Sequence, residues 1–139
     1  MGLAVTLLLA GVILAIAALH LSWAFGSDWP TPRGELAIYV TPGTRRPGVA
    51  ITVGVAAAIA LAGLIVLAFR APLTWPWNMA SAAGYFGVML VFLVRGMAGY
   101  FPALWRVSQG RPFYRLNRIY YSPLCLVIAG GLAANVLIR

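Results

Sequence analysis

Four runs of this chain match the length of a membrane-crossing helix, and almost no charge interrupts them. They cover about residues 3–25, 49–69, 78–100 and 119–138, and Arg95 is the one charged residue inside them. A helix rises about 1.5 Å per residue, so about 20 apolar residues cross a hydrocarbon core roughly 30 Å thick. Composition points the same way. Hydrophobic residues make up 63% of the 139 and charged residues 9%, against about 25% charged in a soluble domain. A water-soluble fold of this size would leave Leu, Ile and Val facing solvent. The expected class is therefore all-α: a polytopic membrane protein whose four transmembrane helices form one compact bundle, with residues 1–139 as a single domain.

The net charge of +8 comes from arginine alone, since the chain has no lysine. No basic helix or stacking platform lies outside the spans, so nucleic acid is not an expected partner. Basic loops beside apolar spans fit the orientation rule and attraction to anionic lipid. The single cysteine, Cys125, rules out an internal disulfide and offers nothing with metal-ligand spacing. Neither a metal nor a cofactor is expected.

The first run competes with a signal peptide. It is long for one, and no Lys or Arg precedes it, so it reads as a retained helix. The connection 26–47 is rich in Pro, Gly and Thr and holds the only acids, Asp28 and Glu35. Gly54, Ala58 and Ala62 in the second run, Ala80, Gly84 and Gly87 in the third, and Gly130, Gly131 and Ala134 in the fourth offer small faces for close helix packing. Residues 101–118 mix Arg106, Arg111, Arg115 and Arg118 with Trp105, Phe113 and Tyr114, which suits a segment lying in the interface. Trp75 and Trp77 suit interface anchors.

With four spans, the first and third connections share one side. They carry Arg33, Arg45, Arg46, Arg106, Arg111, Arg115 and Arg118, while the other side carries Arg70 and Arg139. Seven arginines against two place both long connections in the cytoplasm and both termini outside.

This topology gathers His20, Trp23, Arg95, Tyr120, Tyr121 and Ser122 at the cytoplasmic edge, with Asp28 and Glu35 just beyond. The outer half looks like Ala, Leu, Val and Gly, with little capacity for chemistry. His20 is the candidate acid or base, and its plain reading is a hydrogen bond to a neighbouring helix. Arg95 holds an anionic group such as a lipid phosphate, or pairs with Asp28. Trp23, Tyr120, Tyr121 and Ser122 line a ligand site or serve as anchors.

HLSWAFG, LVRGMAGYF and FYRLNRIYYSPLC together resemble a bacterial family of small four-helix membrane proteins of unknown function. The resemblance runs along most of the chain and implies the fold, a bacterial cytoplasmic membrane, and motif positions at His20, Trp23, Gly26, Arg95, Phe113, Tyr121, Ser122, Pro123 and Cys125. It implies no activity. The family pattern commonly has an acid where Gly99 and Asn117 stand here.

The leading reading is a non-enzymatic accessory subunit, or a module binding lipid or a lipophilic molecule. Its partners are membrane lipids and other membrane subunits. The alternative is an enzyme acting on an isoprenoid, quinone or lipid, with His20 as acid or base and Arg95 holding an anion. No nucleophile–base pair or paired carboxylates support that alternative. A transporter wants polar groups or broken helices near the midplane, and these runs offer neither. The orientation is directly testable. Thr44→Cys and Gln109→Cys, each in a Cys125→Ser background, should resist an impermeant thiol reagent in intact cells. Labelling of either from outside reverses the topology.

Overall fold

A computed structural model describes residues 2–27, 29 and 48–138. It contains α1 (Gly2–Ala24), α2 (Val49–Ala68), α3 (Trp77–Ala98), a 3₁₀ segment (Pro102–Ser108) and α4 (Pro112–Leu137). No strand occurs among the described residues. All four α-helices are long and apolar enough to cross a membrane. Hydrocarbon offers backbone groups no water, so a spanning segment must close its own hydrogen bonds, and a helix does this within one strand of chain.

The ends of the helices follow from local chemistry. Gly26 has φ 99°, a conformation that suits a residue without Cβ. Its N–H donates to the Trp23 carbonyl, and the Ser27 N–H donates to the Ser22 carbonyl. That paired closure satisfies carbonyls the helix leaves open. Gly110, at φ 80°, turns the chain out of the 3₁₀ segment. Pro112 then opens α4, where its missing N–H costs nothing.

Neighbouring helices run antiparallel. α1 packs on α2 and α4, and α3 packs on the same two, so α1 and α3 stand diagonally opposed. Each interface closes where a glycine admits a larger side chain. Gly63 of α2 receives Leu14 of α1, and Gly84 of α3 receives Ile65 of α2. Gly131 of α4 receives Leu9 of α1, while Gly96 and Gly99 of α3 receive Leu126 and Ser122 of α4. Close approach of this kind gives dispersion contacts that lipid tails cannot match. Of the expected small faces, Gly84 and Gly131 meet neighbours. A Cβ at Gly54, Gly87 or Gly130 would meet nothing within 4 Å. Ala58, Ala62, Gly84 and Gly87 instead line an open apolar groove between α2 and α3.

The buried core lies in the half of the bundle nearest the α1 N-terminus. Leu9, Ala10, Ile13, Val66, Phe69, Tyr85, Val88, Ile128 and Leu132 build it. Phe69 stacks on Tyr85 with ring centroids 4.0 Å apart. Leu3, Leu8, Ile51, Leu61, Leu90, Val91 and Val127 face outward, as a lipid-facing surface requires.

Two features differ from the sequence reading. The fourth helix begins at Pro112 and not near 119, so 112–118 form its first turns. Arg111, Arg115 and Arg118 recur at helical spacing, opposite buried Phe113 and Asn117. The second feature is a single π turn at Asn117–Tyr121, closed by the Ser122 N–H donating to the Asn117 carbonyl. Such turns widen a helix locally and recur at functional sites.

The tightest approach in the bundle makes a prediction. A Cβ at Gly99 would fall on Ser122 Oγ and lie 2.7 Å from Ser122 Cβ. Gly99→Ala should therefore destabilise the detergent-solubilised protein by about 1–3 kcal/mol in thermal unfolding, the usual cost of overpacking. Gly54→Ala, in open space, should be neutral or stabilising by up to about 1 kcal/mol. Equal effects at the two positions would show that α3 and α4 are not packed this closely.

Candidate functional site

Two buried asparagines, one near each end of α4, define the polar chemistry of this bundle. Both are 0% exposed. They differ in how fully their amide groups are used.

Asn135 is saturated. Its Nδ2 donates to Thr6 Oγ1 of α1 at 3.0 Å and to the Tyr85 hydroxyl of α3 at 3.1 Å. Its Oδ1 accepts from Arg70, just past α2, at 2.9 Å, and its backbone carbonyl accepts from the same Arg70 nitrogen at 2.7 Å. Thr6 passes its own proton to the Gly2 carbonyl, and Tyr85 passes its proton to the Leu132 carbonyl. One side chain thus ties all four helices, and Arg70 also caps the C-terminal end of α4, where carbonyls lack helical donors and cations are favoured. Among the described residues, Arg70 Nε is the one buried side-chain atom left over at this end. The half of the bundle nearest the α1 N-terminus is therefore not free of polar chemistry, contrary to the sequence reading. Its polar groups sit singly in apolar runs and meet only in the fold.

Asn117 is unsaturated. Its Oδ1 accepts from Arg95 Nη2 of α3 at 2.8 Å and, at a long 3.4 Å, from Ser122 Oγ. A guanidinium can only donate, so the amide oxygen must face Arg95. The Nδ2 group then has no acceptor, and neither does Arg95 Nη1. The Tyr121 hydroxyl, buried and without a partner, lies one turn further along α4. The 3₁₀ segment covers this end. Trp105 places its ring 5.2 Å from the Arg95 guanidinium carbon and donates its indole N–H to the Ala98 carbonyl at 2.8 Å. Trp105 packs on Phe113, and Phe113 on Tyr121. Cys125, half-buried, sits three residues beyond Ser122 on the same helix.

The sequence-derived candidates separate into two groups. Arg95 and Ser122 meet at the α3–α4 end through Asn117, and Tyr121 joins them by ring packing on Phe113, with Asn117, Gly99 and Trp105 as members the sequence reading did not single out as site residues. Gly99 and Asn117, noted for lacking an acid, both stand against Ser122. Tyr120 points away and is 62% exposed. His20 and Trp23 pair with each other on α1, ring centroids 4.8 Å apart. The His20 Nδ1–H donates to the Ile16 carbonyl at 2.8 Å, because a carbonyl can only accept. Trp23 is buried and donates its indole N–H to the Trp29 carbonyl. Among the described residues no hydrogen bond or ring contact joins this pair to Arg95 or Tyr121. The expected Asp28 partner of Arg95, and Glu35, lie outside the described residues. No group of His, Cys, Asp or Glu able to hold a metal occurs among the described residues.

Helices and polar ends together define a multi-pass membrane protein built as a four-helix bundle. The chain belongs to the family described as Protein of unknown function (DUF3995), which matches residues 13–132. That match takes in His20, Arg95, Asn117, Tyr121 and Ser122. No curated protein and no solved structure matches the chain.

The contrast between the asparagines is measurable. Asn135→Ala strips partners from Thr6, Tyr85 and Arg70, and each buried group left unpaired costs about 1–3 kcal/mol. Asn117→Ala takes a firm partner from Arg95 alone. Thermal unfolding in detergent should rank Asn135→Ala as clearly the more damaging, and the reverse order would show that the saturated network does not hold the bundle.

Proposed function

We propose that this protein carries out no chemistry of its own and acts as an accessory subunit or ligand-holding module, with a polar site where α3 meets α4. Its natural ligand is a lipid or lipophilic molecule reaching the site at the membrane edge. The same reading places it in the bacterial cytoplasmic membrane, with both long connections inside and both termini outside, where arginine-rich connections favour anionic lipid. Membrane lipids and other membrane subunits are the partners in this reading.

The observation that carries it is the unpaired buried donors where Arg95 meets Asn117, Arg95 Nη1 and Asn117 Nδ2. Buried polar groups in native proteins have partners as a rule, so such a cluster calls for an acceptor from elsewhere. The enzyme reading needs His20 and Arg95 to act together. They stand on the diagonal helices α1 and α3, which lends that reading less support.

The test is to purify the full chain in mild detergent and identify co-purifying molecules by mass spectrometry. A lipid, lipophile or subunit should be retained stoichiometrically, lost from Arg95→Gln and kept by Leu7→Ala, whose side chain is outward-facing. Retention of a chemically altered lipid, dependent on His20, would favour the enzyme reading. A protein that retains nothing would remove the ligand-holding role.

A further inference from the structure

The unpaired atoms have a chemistry that narrows the ligand. Arg95 Nη1 and Asn117 Nδ2 are donors without acceptor capacity. They are adjacent, because Arg95 Nη2 already sits 2.8 Å from Asn117 Oδ1. Oxygen is what this set lacks.

Charge narrows it further. Arg95 is a full positive charge in the last turn of a spanning helix. The chain's two acids both belong to the connection after α1, outside the described residues. Among the described residues the groups near Arg95 are Asn117, Trp105 and the Cys125 thiol, none of them a carboxylate. Arg95 is half-buried with its Nη1 enclosed. An enclosed cationic group is stable when paired and hydrogen-bonded, and the Trp105 ring face supplies part of that stabilisation but no acceptor. Around the site, Arg106, Arg115 and Arg118 are exposed and Arg111 half-buried, so the charges of the described residues there are all positive and draw anions in.

We propose that Arg95 and Asn117 bind the oxygens of one phosphate group beneath Trp105. This rests on reading the α3–α4 end as a ligand site, and it names the group that binds there. Two oxygens of one phosphate match the fork of a guanidinium, and a charge-assisted pair is stronger than a bond to a neutral carbonyl. The phosphate belongs either to a lipid headgroup or to a free anion.

The full chain in detergent is titrated with three probes: dioleoylphosphatidylglycerol, dioleoylglycerol with the same tails but no phosphate, and sodium phosphate. Binding raises the unfolding temperature by mass action. The expected result is a saturable rise with phosphatidylglycerol and none with dioleoylglycerol. If sodium phosphate also raises it, the proposal stands and the source is the free anion. Arg95→Gln should weaken phosphatidylglycerol binding about tenfold or more, as expected for losing a charged hydrogen bond. Should Arg95→Gln fail to fold, Asn117→Ala removes the second donor and should still weaken binding several-fold.

A rise with dioleoylglycerol equal to that with phosphatidylglycerol would overturn the phosphate while leaving a lipophile site. Variants that bind phosphatidylglycerol as wild type does would overturn the assignment to these residues. An Asp28→Asn/Glu35→Gln protein that loses stability, beside a wild type indifferent to every added anion, would assign the oxygens to the chain's own carboxylates and overturn the proposal.

Discussion

Hydrocarbon gives a polar atom nothing to bond, so every donor and acceptor carried into the membrane must find its partner inside the protein. Asn135 shows what meeting that demand achieves. Its amide and carbonyl engage α1, the end of α2, and α3 at once. The apolar core of Leu9, Ile13, Phe69, Tyr85 and Leu132 packs beside it. Apolar contact alone does not distinguish one helix from lipid, since lipid tails are as apolar as Leu. Directional bonds and glycine-mediated contacts therefore set which helix lies beside which.

Asn117 is the same residue in the same helix with the demand left unmet. The difference lies in what surrounds each amide. Asn135 faces two hydroxyls and a guanidinium from three other segments. Asn117 faces a guanidinium and a serine hydroxyl, both donors with respect to its one oxygen. Gly99 brings α3 so close that Ser122 fills the space a side chain would take. The π turn widens α4 at this same point. The backbone is thus adapted around a polar group whose bonding is incomplete.

The four spans were legible because charge-free runs of about 20 residues have few other outcomes. The glycines were half legible. Gly84 and Gly131 stood on small faces that do pack, yet Gly63 and Gly96 were missed, because which side of a helix meets a neighbour depends on all four helices together. The start of α4 was hidden by composition. Arg111, Arg115 and Arg118 oppose the positive end of the helix dipole, and their mixture with aromatics looks interfacial. The spacing of Phe113, Asn117 and Tyr121, four apart each time, was the signal for a helix with one face turned inward. The Asn135 network could not be read from the sequence. Its bonds join residues up to 129 positions apart, and a single Asn or Thr in an apolar run carries no mark of its partner.

Depth was legible and azimuth was not, and that explains the candidates that separated. Counting residues along each span places His20 and Arg95 near one membrane edge. It does not say that α1 and α3 occupy opposite corners of the bundle. His20 and Trp23 consequently serve the exit of α1, where Trp23 holds Trp29 and Gly26 reverses the backbone. Arg95 serves the α3–α4 contact instead. The saturated Asn135 network sits at the far end of α4 from Asn117, with the core between 128 and 132 beside it. The bonds of Arg95 and those of Asn135 share no side chain, so a change in one set leaves the other in place.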